Sequence, residues 1–138
     1  MSSFFKQNFK KLSTLPPLKK SQKIQKLVSK TIHFSYNKKE DILQDLQDEI
    51  KELSNELDNY DNKKDNKKRI LEELGDVFFV LGNLANQYNI DSQVALNSSI
   101  NEYKRRILFC EKHFNGNFKK ITQNEMIKLW KKAKENKK

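Results

Sequence analysis

The chain has 138 residues, 36% of them hydrophobic, with 28 Lys and Arg against 18 Asp and Glu and a formal net charge of +10. That length suits one domain with a thin core; the lone Cys110 excludes a disulfide framework or a Cys-based zinc site within one chain, and no apolar run approaches the ~20 residues of a membrane span. The charge is uneven, with +8 on residues 1–30, +6 on residues 119–138 and −4 on the stretch between, so a uniformly basic nucleic-acid surface is not expected.

Residues 1–14 read as a basic lead, either a frayed helix or a flexible segment, with Phe4, Phe5, Phe9 and Leu12 scattered among lysines, and Pro16-Pro17 ends it. A first helix follows to about Lys30 on Leu18, Ile24, Leu27 and Val28, and His33-Phe34-Ser35-Tyr36 reads as a loop. Ile42, Leu43, Leu46, Ile50, Leu53 and Leu57 recur at three- and four-residue steps, which predicts a helix from about Lys38 to Leu57. The polar stretch Asp58–Lys68 reads as a loop between antiparallel helices.

The next helix is expected from about Arg69 to Gln87, its core face being Ile70, Leu71, Leu74, Val77, Phe78, Leu81, Leu84 and Ala85. Asn89-Ile90-Asp91 breaks it, with Asp91 capping a helix that runs to about His113. After the Asn115-Gly116-Asn117 turn, Thr122 and Glu125 form a capping box for a last helix to about Lys134. The predicted fold is therefore all-α: an antiparallel bundle of about five helices over residues 15–138, with dimerisation expected to relieve the thin core.

Two acidic pairs stand out, Glu49 with Glu52 and Glu73 with Asp76. Residues three apart on a helix lie on one face, so each pair can offer oxygens to a hard cation such as Mg²⁺. At roughly 100° per residue both pairs take the same offset beside their helix's apolar arc. If those faces pack, four carboxylates meet at one seam, where they repel unless a cation holds them. Arg69 and Asn83 share the stripe of Glu73 and Asp76 and would border the site. Gly75 and Gly82 suggest that a backbone or ligand comes near this helix, since each costs about 1 kcal/mol of helix propensity. The bland alternative is a pair of solvated acidic faces with the carboxylates turned to bulk water.

The run Asp48-Glu49-Ile50-Lys51-Glu52, followed after a spacer by Glu72-Glu73-Leu74-Gly75-Asp76-Val77-Phe78-Phe79, resembles the EExxE…ExxD signature of the all-α nucleoside triphosphate pyrophosphohydrolases of the MazG type. The similarity extends over about residues 15–134, through Leu15-Pro16-Pro17-Leu18, Gly82-Asn83-Leu84-Ala85, Tyr103 to Glu111 and Glu125 to Lys134. The resemblance implies a helical homodimer that splits nucleoside triphosphates between the α- and β-phosphates, giving monophosphate and pyrophosphate. It implies Mg²⁺, with Mn²⁺ as substitute, held by Glu49, Glu52, Glu73 and Asp76 as the catalytic set. It further implies nucleotide contacts at Asp45, Asp48, Arg69, Glu72, Glu102, Arg106 and Trp130, with Lys134 as a further phosphate contact.

A cytoplasmic protein with a nucleotide substrate is thus expected, with neither membrane nor nucleic acid as partner. Three positions depart from the family pattern: Asp45 and Glu102 stand where the family usually has Lys, and Ile100 stands where Asn is usual. Reversed charges at phosphate contacts weaken binding if those side chains face the ligand. The alternative expectation is accordingly a catalytically weak nucleotide-binding or regulatory dimer.

Overall fold

A computed structural model describes residues 3–136 and is all-α. The helices are α1 (Phe4–Leu12), α2 (Pro17–Ile32), α3 (Lys39–Asp58), α4 (Lys64–Gln87), α5 (Ser92–His113) and α6 (Gln123–Glu135), with a 3₁₀ turn at Phe118–Lys120. The chain divides into two compact units, the first ending at Gln93 and the second beginning at Val94.

Local chemistry sets most helix ends. Ser3 caps α1 by accepting from Lys6 N, and Pro17 opens α2 at a position where its missing N–H costs nothing. His33 ends α2 in the left-handed region, with φ 56°. Asn89, φ 53°, ends α4 in a Schellman arrangement, in which Ile90 N donates to Ala85 O at 2.9 Å and Asn89 N to Asn86 O at 3.2 Å. Asp91 Oδ1 then accepts from Gln93 N at the start of α5. The capping box of Thr122 and Glu125 opens α6.

α4 is the centre of the first unit, with α3 and α2 packed against it and α1 against α2. It starts at Lys64, five residues before the Arg69 expected from apolar periodicity. Its first turn carries no apolar residue to signal a helix; Lys64, Lys67 and Lys68 are good helix formers and Asp65 suits the positive end of the macrodipole. α2 approaches α4 closely over Gly82, where an added Cβ would stand 3.3 Å from Ser21 Oγ. Gln22 bonds to the C-terminal end of α4, donating to Ile90 O at 2.8 Å and Asn86 Oδ1 at 3.2 Å. Gly75, by contrast, has nothing within 4 Å of a Cβ, so the close approach expected there is absent.

The buried arc is displaced from the one predicted. Ile42 and Val80 are buried and Leu46, Leu53, Ile70, Val77 and Leu84 half-buried, but Leu43, Ile50 and Leu57 on α3 and Leu71, Leu74, Phe78 and Leu81 on α4 stay exposed. With Glu49 or Glu73 set at zero, the covered residues centre near +30° and the exposed apolar stripes lie beyond about +80°. The helices thus meet on the side of their apolar faces nearest the carboxylates, and a second apolar stripe on each is left uncovered.

Candidate metal centre

That displacement decides the setting of the acids. Glu49 and Glu73, at the edge of the packed arc, are half-buried, while Glu52 and Asp76, about 60° further round, are exposed. One carboxylate oxygen from each of Glu49, Glu52 and Glu73 lies within 4.8 Å of the others. Asp76 is on the same stripe as Glu73 but falls outside that group of oxygens. Among the described residues, no other three Asp, Glu, His or Cys side chains come together in this way.

Glu49 Oε2 and Glu73 Oε2 are buried without a hydrogen-bond partner. No Lys or Arg neutralises the group, since the ion pairs of the described residues lie elsewhere. Burial, followed by the charges of Glu52, Asp76, Asp45 and Asp48, raises the Glu49 carboxyl above its ordinary range. Burial, hydrogen bonding with Glu52 and the charges of Glu52, Asp76 and Glu49 raise that of Glu73. The arrangement suits a divalent cation: three hard oxygen donors, two of them holding an oxygen out of water with nothing to bond. The alternative of acids turned to bulk water holds for Asp76 and Glu52 but not for the buried oxygens.

One helical turn before Glu49, Asp45 opens onto a cavity of about 290 Å³ walled by Ile24, Val28, Phe34, Tyr36, Phe79 and Val80, with Asn83 beside them. Tyr36 Oη donates to Asp45 Oδ2 at 2.5 Å. Burial, with the hydrogen bond to Asp45 and its charge, pushes the phenol up to about 12. Asp45 is thereby a pocket residue tied to the 33–38 loop. The amino-acid sequence assigns no substrate role to Phe34 or Tyr36; two aromatics in a polar loop just before the acidic helix are the signal it offers.

The other expected contacts are distributed as follows. Arg69 Nε pairs with Glu56 Oε2 at 2.9 Å and Arg69 also bonds to Asn66, so its guanidinium ties α4 to α3. Asp48 accepts from Gln44 at 2.9 Å, and Glu72 is exposed. Glu102, Arg106, Trp130 and Lys134 belong to the second unit. There Glu102 is bonded by Arg105 at 2.7 Å and by Arg106 at 2.9 Å, which brings its carboxyl down to about 2. Arg105 also donates to Ala133 O and Asn136 O, joining α5 to the end of α6. Trp130 is half-buried, its ring 5.5 Å from Tyr103 and 5.6 Å from the Arg106 guanidinium. Lys134 is exposed on α6. The acid at position 102 therefore brings two arginines with it.

Among known proteins, the model of one family, described as the MazG nucleotide pyrophosphohydrolase domain, matches residues 37–113. The match spans α3, α4 and α5, including both acidic pairs, Glu102 and Arg106. No curated protein matches the chain. Among the described residues, no helix is long and apolar enough to cross a membrane.

Proposed function

The chain belongs to the MazG nucleotide pyrophosphohydrolase family, and on that premise we propose that it hydrolyses nucleoside triphosphates at the α–β bridge in a Mg²⁺-dependent reaction, as part of nucleotide-pool clean-up in the cytoplasm. The observation that carries the proposal is the convergence of Glu49, Glu52 and Glu73, with two buried carboxylate oxygens left without a donor. These residues would hold the cation, with Asp76 beside them, and Mn²⁺ would serve in its place.

Bound there, a divalent cation would offset phosphate charge and lower the pKa of a water molecule. The residues of the chain supply the rest. Water adds at phosphorus, the bond to the α–β bridging oxygen breaks with its electron pair leaving on pyrophosphate, and the water's proton passes to a carboxylate. Glu52 is the proposed acceptor, since its carboxylate is the exposed member of the converging three and is open to substrate. The cavity at Asp45 and Tyr36 suits a nucleoside: half of its lining is apolar, Gln25, Tyr36, Asp45 and Asn83 supply polar groups, and Asp45 stands one helical turn from Glu49.

Nucleotide contacts by Asp48, Glu72, Arg106, Trp130 and Lys134 are proposed on the family resemblance. The exposed stripes Leu43-Ile50-Leu57 and Leu71-Leu74-Phe78-Leu81 support a homodimer, because contiguous apolar surface on two adjacent helices marks an interaction face. The test is product identity. Nucleotide with Mg²⁺ should give monophosphate and pyrophosphate in equal amounts, and release of single orthophosphate would reject the proposal.

A further inference from the structure

The first unit carries a second cavity, of about 650 Å³, between α1 and α2. Five lysines line it: Lys11 from α1 and Lys19, Lys23, Lys26 and Lys30 from α2. All five are exposed, and none joins an ion pair among the described residues. Asp91, already bonded to the start of α5, is the single acid in the lining.

The α2 lysines recur at steps of four, three and four, so at 100° per residue they fall within a stripe about 60° wide and about 16 Å long. Ile24, Gln25 and Val28, which wall the cavity beside the acidic centre, lie on the opposite side of the helix. A single face of one helix thus carries four like charges, which repel one another and stay solvated at a cost unless an anion runs along them. Leu12, Leu27 and Ile90 add apolar surface to the lining, and Asn8, Gln22, Asn86 and Asn89 add neutral polar groups. On α1, Phe4 lies just outside the lining on the arc of Asn8, Lys11 and Leu12, one turn earlier; it is 54% exposed, with its ring edge-on to that of Phe5 at 5.4 Å.

We propose that the α1–α2 cleft is a second binding site, for the phosphodiester backbone of a single-stranded nucleic acid. Its length fits a succession of phosphates rather than one phosphate group. Lysines act as point charges that hold a backbone without reading bases, and an exposed aromatic at one end of a basic groove gives a base a face to stack on. Twelve of the sixteen acids between residues 31 and 118 stand on α3 and α4, and of the remaining four only Asp91 lines the cleft, so five lysines face one acid there. A concave groove, in place of a flat basic surface, favours a strand over a lipid headgroup plane.

The experiment uses the full chain with a fluorescein-labelled 12-nucleotide single strand, titrated at several salt concentrations by anisotropy. Binding should weaken with salt, with a log–log slope of about −3.5 for five lysines. The combined variant K19Q/K23Q/K26Q/K30Q should bind at least tenfold more weakly while keeping its helical circular dichroism and its pyrophosphate release. Phe4→Ala should weaken the strand but leave inorganic polyphosphate unaffected, which separates nucleic acid from a bare chain of phosphates. Absence of binding, unchanged binding by the lysine variant, or equal affinity for poly-glutamate would overturn the proposal.

Discussion

Glu49 on α3 and Glu73 on α4 each keep a carboxylate oxygen buried and undonated, close to one another and to Glu52. Both carboxyls are raised above their ordinary range by burial first and then by neighbouring carboxylates, Glu52 and Asp76 among them. Between the ordinary value and the raised one, the folded chain holds more protons than the unfolded chain. Without a cation, stability should therefore fall as pH rises through that window. A cation displaces those protons, so its stabilising effect should grow with pH. Thermal melts with and without Mg²⁺ should show a larger upward shift at pH 8 than at pH 5; equal shifts would contradict a site built on these two carboxyls.

Glu102 has the opposite sign. Arg105 and Arg106 hold its carboxyl down to about 2, so its contribution to stability is complete above the ordinary carboxyl range and is lost as pH falls toward 2. Because the pairs are partly exposed, they should weaken in high salt. Glu102→Lys, which restores the residue usual in the family, should lower the melting temperature and fail to raise turnover, since it removes the acid that orders both arginines. A gain in turnover with Glu102→Lys would show that the acid obstructs the substrate.

The two glycines of α4 should respond differently. Gly75→Ala meets open space and should stabilise the chain by up to about 1 kcal/mol through helix propensity. Gly82→Leu must displace Ser21 and Gln25 from the α2 contact and should destabilise it by about 1–3 kcal/mol. Urea unfolding followed by circular dichroism measures both.

Much of this was legible in the sequence because helical periodicity is a local property. The spacing of Glu49 from Glu52 and of Glu73 from Asp76 sets their common stripe, and the caps at Asp91 and Thr122 act within three residues. Which part of an apolar arc is covered is decided by the neighbouring helix, and no periodicity reveals it. Leu71 and Phe78 match the pattern of core residues yet are 70% and 52% exposed, while Glu73 on the same helix is half-buried. The start of α4 was missed because Lys64–Lys68 has no apolar residue to mark a helix. The cavity at Tyr36 was missed because it joins residues from α2, a loop, α3 and α4.

The uncovered stripes make the oligomeric state measurable. Phe78→Glu should convert a dimer into a monomer in light scattering, with helical content retained, because a charge in an apolar interface is left unpaired. A wild-type chain that is monomeric at micromolar concentration would contradict the dimer.

A metal centre at Glu49, Glu52 and Glu73 is tested by comparing pyrophosphate release by the wild-type chain and Glu73→Gln in Mg²⁺. Loss of a carboxylate that supports a metal only indirectly already costs 10–100-fold, so loss of a ligand should reduce turnover by about 100-fold or more. Circular dichroism should be unchanged and the cation-free melting temperature raised, since one repelling charge is gone. Turnover at the wild-type level in Glu73→Gln would contradict a metal ligand at this position.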